Sequence, residues 1–99
     1  MTQLEYRLDG GQCRLSGELS FDTAAEFESF IASLAQHSEE LIVNLAEISH
    51  ADSAATAFMV ELYRQVSLAG GQISFVEVPP HILSVLAMTN LDTILPIAA

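Results

Sequence analysis

The chain has no lysine, no tryptophan and one cysteine, and only three arginines stand against nine Glu and four Asp. Its formal net charge is −10 at pH 7. That balance argues against a nucleic-acid partner, because phosphate binding needs clustered cations. It argues equally against docking on an anionic membrane surface. The lone Cys13 excludes an internal disulfide and a multi-cysteine zinc site. No apolar run approaches the roughly 20 residues of a membrane span. Glu5, Arg7 and Asp9 interrupt the start, where a signal peptide would be apolar. The expectation from these absences is a soluble protein of a reducing cytoplasm. What is present is apolar material: 51% of the 99 residues are hydrophobic and 16% charged. That is enough for one folded domain, spanning residues 1–99, without room for a second core.

Apolar periodicity divides the chain into alternating strands and helices. Leu4, Tyr6 and Leu8 alternate with Glu5, Arg7 and Asp9, the period-two mark of a half-buried strand. Gly10-Gly11 reads as a tight turn, and Cys13 and Leu15 continue the alternation beyond it, so the first 17 residues predict a β-hairpin. Over residues 22–36 the period changes: Ala24, Phe27, Phe30, Ile31 and Leu34 fall at helical spacing. Thr23 and Glu26 fit a capping box at its start. Residues 37–40 are a polar connection.

Leu41-Ile42-Val43-Asn44-Leu45 is a nearly continuous apolar run, suited to a central strand covered on both faces. After a short turn Asp52-Ser53 opens a second helix of about 17 residues, or about 25 Å, with Ala55, Met59, Leu62, Val66 and Ala69 as its apolar stripe. Gly70-Gly71 stops it. Residues 73–78 predict another strand, Pro79-Pro80 a third helix start, Asn90 its stop, and residues 91–97 a short closing segment. The order β-β-α-β-α-β-α implies an α/β domain. Its sheet is small, mixed and mostly parallel, with an antiparallel N-terminal hairpin and helices packed on it.

Candidate chemistry concentrates at one place. His50, Asp52 and Ser53 invite a hydrolytic triad, but there is no G-x-S-x-G elbow and all three fit turn and cap positions. His37, His50 and His81 lack metal-ligand spacing. Cys13 reads as a small buried hydrophobe. Neither glycine pair opens a helix in a phosphate-cradling pattern, so no cofactor is implied. Residues 51–57, Ala-Asp-Ser-Ala-Ala-Thr-Ala, stand where a parallel strand hands over to a helix, and a helix start exposes amides and partial positive charge. Those amides would receive a phosphate on Ser53, although it would repel Asp52. The small Ala54 and Ala57 would let a partner approach closely. The plain alternative is that Asp52 and Ser53 only cap the helix.

The chain resembles the STAS domain family, named for sulfate transporters and anti-sigma factor antagonists, over nearly its whole length. The resemblance rests on Gly17-Glu18-Leu19 followed by Phe21-Asp22-Thr23-Ala24, on residues 41–48, on the signature Asp52-Ser53, and on Gly70-Gly71 and Pro80. Phe21-Asp22-Thr23, Ala51-Asp52-Ser53-Ala54, and Val78-Pro79 through Leu95-Pro96 look most like MlaB-type proteins, the STAS subunits of the Mla phospholipid-transport ABC system. That resemblance implies a non-enzymatic cytoplasmic subunit that binds the transporter's ATPase and so sits at the inner membrane. Its docking face would be the start of the second helix, with Asp52, Ser53, Ala54, Thr56 and Ala57 central, and with Phe58 and Glu61 extending it only if they face the same side. The alternative implied by the family is an anti-sigma factor antagonist in which a partner serine kinase phosphorylates Ser53. The usual Gly and Leu after the signature are Ala55 and Thr56 here. The Ala55 methyl is expected to stiffen the helix start and add to the docking surface.

Overall fold

Leu4 and Tyr6 turn toward the interior from the first strand, β1 (Leu4–Asp9), while Glu5, Arg7 and Asp9 are exposed. It pairs antiparallel with β2 (Gln12–Leu19), from Leu4 opposite Gly17 to Asp9 opposite Gln12. This is the expected hairpin. The computed structural model describes residues 4–9, 12–36 and 40–98, so the Gly10-Gly11 turn, His37 and most of the polar connection lie outside the described residues.

Beyond β2 a 3-10 turn (Ala24–Glu26) leads into α1 (Phe27–Ala35). The strand β3 (Glu40–Ala51), the helix α2 (Ala54–Leu68), the strand β4 (Gln72–Val76) and the helix α3 (Pro80–Met88) follow, then a second 3-10 turn (Leu91–Thr93). The sheet order is β1-β2-β3-β4, with β3 parallel to both β2 and β4. Architecture and element order are those read from the sequence. The closing segment also contributes to the sheet edge: Phe75 donates its N–H to the Pro96 carbonyl at 2.9 Å, and Ala98 donates to the Phe75 carbonyl at 2.8 Å.

The strand β3 is longer than the apolar run at its start. Residues 46–51, expected as a turn, continue the strand because β2 keeps pairing with them through two irregularities, between Arg14 and Ser16 and between Gly17 and Glu18. Gly17 has φ +100°, a conformation that side chains strongly disfavour, so this bend needs glycine. The long pairing carries β3 to Ala51 beside Leu19 and thereby fixes where α2 begins.

The two faces of the sheet differ. Cys13, Val43 and Phe75 form one cross-strand row and are fully buried in the core with Leu34, Phe58, Met59 and Leu62 of the helices. Each such large side chain contributes about 1.5–3 kcal/mol by leaving water. The adjacent rows, Gln12–Ile42–Ser74 and Arg14–Asn44–Val76, point to the other face. Ile42 and Val76 are half-buried there and lie outside the core cluster. So the expected cover on both faces of β3 is corrected: two of the five residues of its apolar run, Ile42 and Asn44, face away from the helices. Asn44 on that face is buried, and its amide is bonded on both sides, donating to Gln12 Oε1 at 3.3 Å and accepting the Ala46 N–H at 2.9 Å.

Helix ends follow local chemistry. Gly70, at φ +83°, terminates α2 by donating to the Ser67 carbonyl, and Gly71 donates to that of Val66. Pro80 occupies the first turn of α3, and Asn90 stops that segment at φ +60°. The capping box does not form. Thr23 makes no cap bond to the helix because the residue is buried and its hydroxyl is used in the preceding turn.

Candidate functional site

The start of α2 is built around Asp52. Its backbone N–H donates to the Leu19 carbonyl at 3.2 Å, anchoring the strand end. Its Oδ1 accepts the Ala54 N–H at 2.8 Å, which is the helix-capping bond. Its Oδ2 accepts the Phe21 N–H at 3.1 Å, which ties the loop after β2 to the start of α2. One carboxylate therefore caps a helix and clamps two loops together.

Ser53 leaves that work to Asp52. Its backbone is already helical, at φ −63° and ψ −16°, and its side chain makes no cap bond. The residue is exposed, and its hydroxyl has no hydrogen-bond partner among the described residues. The Ala55 N–H donates to the Asp52 carbonyl at 2.9 Å and the Thr56 N–H to the Ser53 carbonyl at 3.3 Å. The amides expected to be vacant for a phosphate thus already have acceptors, so a phosphate on Ser53 would have to compete with Asp52 for the Ala54 N–H.

Helical phase sorts the remaining candidates. Ser53, Ala57 and Glu61 recur every four residues on the outward side, with Thr56 half-exposed beside them. Ala54 (5% exposed), Ala55 (1%) and Phe58 (1%) point inward. Ala54 is therefore turned into the interior, which corrects its expected place on the docking face; Phe58 belongs to the core and so does not extend that face, whereas Glu61 lies on the outward side. The Ala55 methyl likewise fills the interior instead of adding to the surface. Thr56 donates its hydroxyl to the Ser53 carbonyl at 2.7 Å, so Thr in place of the usual Leu closes the first turn with a local bond.

The triad geometry is not assembled. Both oxygens of Asp52 accept backbone N–H groups, and His50 is exposed with no bond to Asp52 or Ser53 among the described residues. Cys13 is fully buried, and burial pushes its thiol up to about 11, which makes it a poor nucleophile. Among the described residues no group of His, Cys, Asp and Glu is placed to hold a metal. No described helix is long and apolar enough to cross a membrane.

Phe21 is a surface feature that periodicity alone misses. Lying three residues before Ala24, it falls in phase with the apolar stripe of the first helix, which would put it in the core. Instead the turn after β2 leaves it 70% exposed, while the Asp52 clamp holds its backbone beside the start of α2. An exposed aromatic ring on a clamped loop is a ready contact residue for a protein partner.

Comparison with known proteins agrees with this architecture. The family described as "Mlab, STAS domain" matches residues 3–96. An anti-sigma factor antagonist from Mycobacterium paratuberculosis is similar in structure, with a TM-score of 0.75 and 21% identity over 98% of this chain and 85% of that one. The Bacillus cell fate determinant SpoIIAA is similar in its phosphorylated form, with a TM-score of 0.65 and 17% identity over 100% and 92% of the two chains. Its unphosphorylated form gives 0.68 and 17%, over 98% and 89%. At these identities the structural likeness establishes the shared fold, and the family match covers nearly all of the sequence. The chain belongs to the STAS domain family.

Proposed function

We propose that this chain is a non-enzymatic, cytoplasmic binding subunit that docks through the start of α2 onto the ATPase of an Mla-like ABC phospholipid transporter. The observation that carries this reading is the match of the MlaB-described family over residues 3–96. The docking surface consists of Ser53, Thr56 and Ala57, flanked by the Phe21 ring and with Asp52 holding the two segments together. No cofactor takes part. The net charge of −10 suits a partner surface that supplies Arg or Lys, because complementary charge speeds and orients association.

A second reading is favoured by one specific observation: Ser53 carries an exposed hydroxyl without a partner among the described residues, on a fold similar to that of phosphorylated SpoIIAA. In that reading the chain is an anti-sigma factor antagonist, and a partner serine kinase phosphorylates Ser53. The added charge then repels Asp52, weakens its hold on the Phe21 N–H, and remodels the docking surface.

A tagged pull-down from native cell extract, wild type beside Ser53→Asp and read by mass spectrometry, separates the two. The transporter reading predicts an ABC ATPase with its permease. A serine kinase of the anti-sigma type in the wild-type sample, absent with Ser53→Asp, would replace it with the second reading.

A further inference from the structure

We propose that the groove between α1 and α2 receives a positively charged amphipathic helix of the protein that docks on the start of α2, an inference that rests on the docking reading above. The groove has a volume of about 690 Å³. Its floor is apolar: Phe27 and Phe58 meet edge to face at 5.0 Å between ring centroids, with Ile31 alongside. Its walls are small side chains, Ala24, Ala32 and Ala57. Lining positions run from 24 to 32 on one side and from 57 to 65 on the other. Each run covers about two helical turns, roughly 12 Å. A trough of that length with small walls admits the ridge that a helix forms from side chains three and four apart.

The charge of the occupant follows from the rim. Glu28 and Glu61 stand along the groove. Glu28 is exposed and has no ion pair among the described residues. Glu61 accepts from Gln65 at 2.7 Å and from Arg64 at 3.2 Å, and these bonds hold its carboxyl below the usual carboxylate range, so it stays ionised. Each of the three arginines already lies beside a carboxylate, Arg7 by Glu47, Arg14 by Asp9 and Arg64 by Glu61. An occupant must therefore bring its own positive charge to match Glu28. Because Ala57 belongs both to this groove and to the exposed face that begins at Ser53, one partner can occupy both without a break.

The test uses the isotope-labelled full chain and a synthetic, end-capped 14-residue peptide. The peptide carries leucines at one helical face and arginines elsewhere, about four turns at 3.6 residues per turn. Titration followed by NMR is expected to give saturable shifts confined to the groove, at Ala24, Ala32, Ala57 and Gln65. A scrambled peptide of the same composition is expected to bind at least about tenfold more weakly, showing that apolar placement matters beyond charge. Glu28→Gln with Glu61→Gln, and separately Ala32→Trp, are expected to weaken binding by about tenfold or more while native spectral dispersion is kept. Equal affinity for the scrambled peptide, shifts scattered over the acidic surface, or no saturable shift would overturn the proposal. The partner pull-down separates this inference from the docking reading. Retention by Ala32→Trp with loss by Ser53→Asp sinks the groove alone, whereas retention by Ser53→Asp sinks the docking face itself.

Discussion

Two junctions at the carboxyl ends of neighbouring parallel strands carry almost the same four residues: Asp22-Thr23-Ala24-Ala25 after β2, and Asp52-Ser53-Ala54-Ala55 after β3. They divide the labour in opposite ways. At the first, the hydroxyl is structural. Thr23 Oγ1 accepts the Ser20 N–H at 3.2 Å and donates to the Glu18 carbonyl at 2.9 Å, while the Asp22 side chain is exposed. At the second, the carboxylate is structural and the hydroxyl of Ser53 faces solvent. The cause is distance from the strand end. The strand β2 stops at Leu19 and the chain must turn through Ser20, whose buried N–H needs an acceptor. The strand β3 runs on to Ala51, so Asp52 stands directly at the helix start and takes the cap. A serine relieved of structural duty is left accessible, as a docking or modification site requires.

Substitutions at the two hydroxyls test this contrast. Thr23→Val keeps shape but leaves the buried Ser20 N–H without its acceptor, and we expect a loss of about 1–3 kcal/mol in urea unfolding. A loss at Thr23 no larger than that of an exposed residue would break the comparison. Asp52→Ala removes both the helix cap and the clamp on Phe21. We expect about 1–2 kcal/mol, together with faster amide exchange at Phe21. Unchanged exchange there would show that the clamp does not hold the loop. Ser53→Ala and Asp22→Asn, the two exposed members, are expected to change stability by less than about 0.5 kcal/mol.

Cys13 offers a control remote from both junctions. Its thiol is held above the ordinary value of 9.0, at about 11. The neutral thiol is the form the fold favours, so its contribution is intact below pH 9.0 and is lost as pH rises toward about 11. Wild type is therefore expected to lose more stability than Cys13→Ala over that interval, read by unfolding at each pH. Parallel profiles would contradict the shift. At neutral pH the folded thiol is expected to resist a disulfide-exchange reagent until the chain is unfolded.

The strands and helices were legible because their apolar periods are clean, and Gly70, Pro80 and Asn90 mark ends by backbone preferences that act locally. The length of β3 was not legible. Residues 46–51 carry no strand pattern of their own, and their extension depends on the bulged pairing with β2 around Gly17. The same limit applies at the candidate site. Sequence placed Asp52 and Ser53 at a helix start, but their division of roles depends on the Phe21 N–H, 31 residues away in the chain. The inward turn of Ala54 and the exposure of Phe21 follow from helical phase and loop path, which residue type alone does not specify.

The exposed face beginning at Ser53 is the proposed place where a protein partner docks. The most direct measurement is the affinity of the purified ATPase proposed as partner for wild type and for Ser53→Trp by titration calorimetry, with Gln72→Trp as the matched change at an exposed position on β4. Docking there means at least about tenfold weaker binding for Ser53→Trp, roughly 1.4 kcal/mol, and an unchanged Kd for Gln72→Trp. An unchanged Kd for Ser53→Trp, with the fold intact, would contradict it.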